Sequence, residues 1–324
     1  MRKFLLFFVP FFVVASLVNV FSDKTTKETK EEPPRKPLVV ATIEPLRLLA
    51  NELYGDQVET RTLLQPAQNP HHVNLSTAQL LLIKQAGLLI WLGEQAEPLL
   101  AEPVRNRTNG TLALLKVVPP DALVEDHHNA EDHAIEDHAT EGQATEVESA
   151  SGHHHGALDP LLWTDPQLMQ AMLPDLVAQG VRLGLPEAAL RERADMLAGQ
   201  LERLVADVQQ QLQAVKNVGW LSYHHPWRYF QQRVGLADPL IMVAQPGGDV
   251  SSRRFVALAE QMQRDQVHCV MVEPEARVAL IKRICQQVDC RIVSLDPLAR
   301  DRQVASYSEW WRMVGDEFAR CLAD

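Results

Sequence analysis

Between residues 186 and 218 the chain carries one unbroken helical pattern, and this constrains the fold more than any other stretch. Leu190, Met196, Leu197, Leu201, Leu204, Val205, Val208, Leu212 and Val215 recur at near-helical spacing, a stripe that must be covered by other elements. Pro186 suits the first helical turn, where its missing N–H costs nothing. Some 30 residues of helix make a rod of roughly 45 Å, too long to belong to one small core. The rod therefore divides the chain into an N-terminal part, 38–185, and a C-terminal part, 219–324, with 186–218 as the link.

Each part alternates strand and helix signals. In the first, apolar runs at 37–43 and 87–92 read as buried strands, and 58–64 as an alternating one. Helical patterns fill 44–54 and 76–84, the latter opening on Ser76 and Thr77 as cap residues. In the second, strands are expected at 219–222, 267–272 and 290–295, with helices at 255–264, 276–288 and 307–322. Alternation of this kind implies parallel pairing, so the fold class is α/β: two lobes with parallel-type sheets flanked by helices, joined by one long backbone helix.

The first residues read differently. Arg2 and Lys3 precede an apolar run from 4 to 21, the pattern of a secretory signal, expected to be cleaved near Ser22 or retained as an anchor. Residues 23–37 are charged residues with Thr and Pro, a tether without the apolar surface to fold. Export permits disulfides among the four cysteines at 269, 285, 290 and 321, and three pairings are open. The net charge of −11 argues against a nucleic-acid partner and suits a cation.

The 12 histidines fall in four places. Residues 125–156 hold seven of them among nine Asp and Glu, with no periodic apolar face, and read as an inserted loop. His268 lies in an apolar strand and reads as a satisfied core or edge residue. The pairs His71–His72 and His224–His225 each follow an expected strand, as does Asp296 in Leu295-Asp-Pro-Leu. Ligands of open α/β sheets gather at such strand ends, and a cleft between two lobes would bring these three groups together. Imidazoles with one carboxylate suit Zn²⁺. There is no Gly-x-Ser-x-Gly, His-Glu-x-x-His or phosphate loop, and Gln245-Pro-Gly-Gly-Asp reads as a turn.

From about residue 37 onward the chain resembles the zinc-binding periplasmic substrate-binding proteins of metal ABC importers. The resemblance is carried, in order, by Asn69-Pro-His-His, Leu88-Leu-Ile-Trp-Leu-Gly, the histidine-rich insertion, Asp159-Pro-Leu-Leu-Trp-Thr-Asp-Pro, Tyr223-His-His-Pro-Trp-Arg-Tyr-Phe, Pro246-Gly-Gly-Asp, Val272-Glu-Pro-Glu and Leu295-Asp-Pro-Leu. It implies zinc as transported cargo, with manganese less favoured, bound between the lobes of a periplasmic, monomeric, non-enzymatic protein that docks on a membrane permease. It places metal ligands at His71, His224 and Asp296. The family's remaining histidine falls at Leu161, which cannot bind metal, and leaves its position to water, to His72 or His225, or to His153, His154 or His155 of the tract. The resemblance also implies the pair Cys269–Cys321, which leaves Cys285–Cys290 as the second. Two other functions stay open on sequence: a zinc hydrolase built on a three-ligand site, with Glu44 or Glu94 as its base, and a metal-binding surface adhesin.

Overall fold

The computed structural model describes residues 35–65, 68, 74–126, 157–244, 248–300 and 303–323. The signal expected at 1–22, the tether expected at 23–37 except its last three residues, His71 and His72, and His153, His154 and His155 all lie outside them. No described helix is long and apolar enough to cross a membrane.

The N-terminal lobe begins with β1 (Leu38–Ala41), α1 (Glu44–Tyr54), β2 (Glu59–Thr62), α2 (Thr77–Gln85) and β3 (Leu88–Trp91). Pro45 sits in the first turn of α1, and Gly55 ends it at φ +61°, a left-handed conformation that costs other residues energy. Ser76 and Gln79 cap α2 reciprocally, satisfying donors that the first turn leaves unpaired. Five elements follow that the sequence pattern does not announce: α3 (Ala101–Arg105), β4 (Gly110–Ala113), α4 (Leu114–Val117) and the short antiparallel pair β5 (Glu125–Asp126) and β6 (Ala157–Leu158). Each is five residues or fewer, too short to express a period. β1 to β4 form a parallel sheet in the order β2-β1-β3-β4. All four residues of β3 are buried, while β2 at the edge is half exposed, which is why the first reads as an apolar run and the second as an alternation.

After α5 (Pro166–Gln170) and the amphipathic α6 (Leu173–Arg182), also unanticipated, comes the long helix α7 (Glu187–Leu212). It is shorter than the expected 186–218, because residues 213–217 continue as turns. Leu190, Ala194, Leu197, Leu201, Leu204, Val205, Val208 and Leu212 are its buried face. Met196, expected on that stripe, is 59% exposed, and Ala194 takes its place. The helix packs on α1, α5 and α6 on one side and on elements of the second lobe on the other.

The second lobe contains β7 (Trp220–Ser222), α8 (Arg228–Val234), β8 (Leu240–Ile241), α9 (Ser252–Arg264), β9 (Cys269–Val272), α10 (Val278–Val288), β10 (Arg291–Ser294) and α11 (Tyr307–Leu322). Its parallel sheet has the order β10-β9-β7-β8. α11 lies against α7 at Gly315, where a Cβ would stand 2.7 Å from a methyl of Val208, and also reaches back to α1. An aromatic cluster fills the junction: Phe230 stacks on Phe318 at 4.7 Å, Trp220 and Trp227 meet Phe318 edge-on, and Trp310 and Trp311 are fully buried. Burying side chains of this size contributes roughly 1.5–3 kcal/mol each. Both bridges form, Cys269–Cys321 tying β9 to α11 and Cys285–Cys290 closing the turn between α10 and β10, with Cα–Cα distances of 5.2 and 4.8 Å.

Candidate functional site

Parallel strands align their C-terminal ends, and the second lobe uses this to gather polar groups. His224 lies two residues past β7, Glu273 directly follows β9, and Asp296 lies two residues past β10. All three are buried, at 8%, 5% and 1% exposure. The Ser222 hydroxyl donates to the His224 carbonyl and holds the turn after β7.

A cavity of about 380 Å³ opens between the lobes. The second lobe lines it with His224, Pro226, Glu273, Glu275, Pro297, Leu298 and Arg300. The first lobe lines it largely with apolar groups, among them Leu64, Leu75, Leu92 and Leu161, together with Glu97. Leu64 and Leu75 flank the loop that carries His71 and His72. Gln79 ties the entry of that loop to α2, donating to the Leu63 carbonyl at 2.8 Å and to the Gln68 side chain at 2.7 Å.

Leu161, the position where the sequence resemblance leads one to expect a histidine, lies at the cavity wall. The Tyr229 hydroxyl donates to the Asp159 carbonyl at 2.9 Å, the Trp163 indole to the Pro297 carbonyl at 2.8 Å, and the Trp311 indole to the Thr164 carbonyl at 2.8 Å. Arg233 grips the Asp165 carboxylate in a fork, with contacts of 2.6 to 2.9 Å. The segment is thus fixed from the second lobe on both sides of Leu161.

Three expectations are refined by geometry. The Asp296 carboxylate, expected as a ligand, accepts four hydrogen bonds: from the Leu298 and Arg300 backbone N–H groups at 3.0 and 2.8 Å, and from the Arg300 side chain at 2.8 and 3.0 Å. It lies behind the wall rather than among the lining residues. His225 is buried at 4% exposure with its ring 5.8 Å from that of Trp220, and it too is not a lining residue. His268 is exposed, with its Nδ1 3.0 Å from the Asp289 carbonyl, a satisfied edge residue. Among the described residues no group of three or more His, Cys, Asp and Glu is arranged to hold a metal.

Arg300 is the group that sequence reasoning misses. Besides Asp296 it pairs with Glu275 at 2.6 Å and donates to the Gln68 carbonyl of the first lobe at 3.2 Å, so it spans the cleft. Glu273 is also missed, although Val272-Glu-Pro-Glu marks the end of a strand. Its Oε1 stands 3.6 Å from His224 Nδ1. Burial, reinforced by the charge of Glu275 and opposed by backbone N–H groups at Glu273 and His224, pushes its carboxyl up to about 7. Burial likewise pushes Glu97 up to about 7, against the Leu92 N–H that donates to it at 2.7 Å. A neutral acid can remain in an apolar cleft where a carboxylate would pay for lost hydration, and an arriving cation reverses that preference.

The two-lobed fold has known relatives. The family profile described as ZnuA, zinc-uptake complex component A periplasmic, matches residues 39–321. A high-affinity zinc uptake system protein of Haemophilus ducreyi is 27% identical over 288 residues, covering 88% of this chain and 93% of the relative. A crystal structure of ZnuA superposes with a TM-score of 0.70 at 18% identity, over 89% of this chain and all of that one. The periplasmic zinc-binding protein TroA of Treponema pallidum does so with a TM-score of 0.69 at 17% identity, again over 89% of this chain and all of the other. With its two sheets, its long helix and nearly all of its described length matched, the chain belongs to the ZnuA family of periplasmic zinc-uptake components.

Proposed function

We propose that the inter-lobe cavity is the primary zinc site of this protein, with His224 and His71 as its histidine ligands. As a ZnuA-family member the protein captures zinc in the periplasm as transported cargo and delivers it to the permease of an ABC importer. The observation that carries the site is the position of His224, a buried imidazole at a strand end on the wall of the cavity. His71 is proposed from its place in Asn69-Pro-His-His, between Leu64 and Leu75, which both line the same cavity. Asp296 joins the ion only by releasing Arg300. The tract is an accessory that raises local zinc concentration through its carboxylates and neutral imidazoles. His72, His153, His154 and His155 belong to that outer supply, and His225 to the aromatic core.

No catalytic step is assigned. Glu44 is bound by Arg47 and Thr62, and Glu94 is an exposed residue 3.9 Å from Arg105; neither lines the cavity. A zinc-loaded sample is expected to turn over no ester, phosphate or peptide substrate.

The test is a competitive zinc titration of the intact chain, His71→Ala, His224→Ala and a variant lacking the tract. Either alanine is expected to weaken the first zinc equivalent by more than the roughly 10- to 100-fold that outer-shell changes cost. Tract deletion is expected to remove only later, weaker equivalents. Loss of tight binding on tract deletion alone, with both alanine variants unaffected, would show that the site is not in the cleft.

A further inference from the structure

Resting on that reading, we propose that Glu273 is a direct zinc ligand, supplying with His224 the donor that Leu161 does not. Three carboxylates stand near the second-lobe wall. Arg300 holds two of them, Asp296 with both oxygens engaged and Glu275 at 2.6 Å. The third is Glu273. It is 5% exposed, lines the cavity, and its Oε1 has no hydrogen-bond partner among the described residues. Buried carboxylate oxygens are costly unless they are hydrogen-bonded, paired or bound to a metal.

The distance to His224 separates these options. At 3.6 Å, Glu273 Oε1 and His224 Nδ1 are too far apart for a hydrogen bond. Two ligands of one tetrahedral zinc, at the usual Zn–N and Zn–O lengths, stand about 3.4 Å apart. The pair is therefore spaced as an edge of a coordination tetrahedron. Both side chains come from the ends of adjacent strands, β7 and β9, whose register pairs Ser222 with Met271, so the sheet itself sets the spacing. Leu161, on the facing lobe, adds apolar surface that dries the pair without competing for the ion. The cleft of this chain thus moves a ligand from the first lobe to the second and from nitrogen to oxygen. A harder oxygen donor in place of an imidazole also lowers the preference for zinc over manganese.

The experiment uses the full chain with zinc ion as the probe. Glu273→Gln keeps the size of the side chain and removes its charge. It is expected to weaken the first zinc equivalent at least 10-fold with an unchanged far-ultraviolet dichroism spectrum. A crystal structure of the zinc-loaded wild type, with the metal located by anomalous scattering, is expected to place a Glu273 oxygen within about 2.2 Å of the ion. Zinc lying more than about 3 Å from both Glu273 oxygens overturns the proposal, whether or not the variant folds. So does a folded Glu273→Gln that binds as the wild type does. His224→Ala separates the two levels. If it loses tight zinc while Glu273→Gln does not, the cleft stands and the glutamate ligand falls. If neither loses it, the cleft reading itself fails.

Discussion

The two lobes are built alike and equipped differently. Each is a four-stranded parallel sheet flanked by helices, with its strand ends turned to the cleft. The first lobe has no cysteine to cross-link it; its described face of the cleft is mostly leucine and proline, with Glu97 as its single acid. The second carries both disulfides, the aromatic cluster, His224, three carboxylates and the arginine that spans the gap. Its strands β7 and β8 are only three and two residues long, so it has less sheet to hold the cavity-lining groups still. Covalent ties and stacked rings do that work instead. The lobe with the shorter strands is thus the one most heavily stapled.

Removing the staples should break this contrast most severely. Opening Cys269–Cys321, which spans 52 residues, is expected to cost about 4 kcal/mol by loop-closure entropy, against about 2 kcal/mol for the Cys285–Cys290 loop of 5. Urea unfolding of the paired alanine variants measures both. If the short bridge proves the more important, the stapling argument fails.

Giving the first lobe back a ligand sharpens the contrast next. Leu161→His is expected to tighten zinc binding by roughly 10-fold or more, since ligand number and type set affinity. The segment from 159 to 165 is already pinned from the second lobe, so the new imidazole is held at the wall without reorganisation. Unchanged affinity in the titration would mean that this wall does not face the ion.

The smallest effect tests the acid of the first lobe. Glu97 is pushed up to about 7 by burial, from an ordinary value of 4.5. The folded chain therefore keeps a proton that the unfolded chain releases over that interval, and stability of the zinc-free protein falls as pH rises from about 4.5 to 7. Glu273 contributes in the same direction. Glu97→Gln can still accept the Leu92 N–H but carries no charge, so it should flatten part of this slope. Denaturation midpoints at pH 5 and pH 8 give the reading, and an equal slope in the variant would assign the dependence to other groups.

Much was legible before any coordinates. The long apolar stripe announced α7, the buried runs announced β1, β3 and β9, and strict periodicity placed α1 and α11 at their observed bounds. The short elements between β3 and α6 stayed hidden, as did the ten-residue α6 itself. The histidine pairs and Asp296 were visible as ligand types at strand ends, because residue chemistry and strand direction are both written locally.

What the sequence determined by itself is the alternation, the period and the inventory: two α/β halves, one rod between them, and donors where strands stop. Only the tertiary structure decided which of these groups line the cavity. His224 turns to the cavity and its neighbour His225 to Trp220; Arg300 closes over Asp296; Glu273 remains open beside the imidazole. These choices depend on contacts between residues tens of positions apart, set by packing and by competition among charges in a low-dielectric cleft. No local pattern encodes that competition.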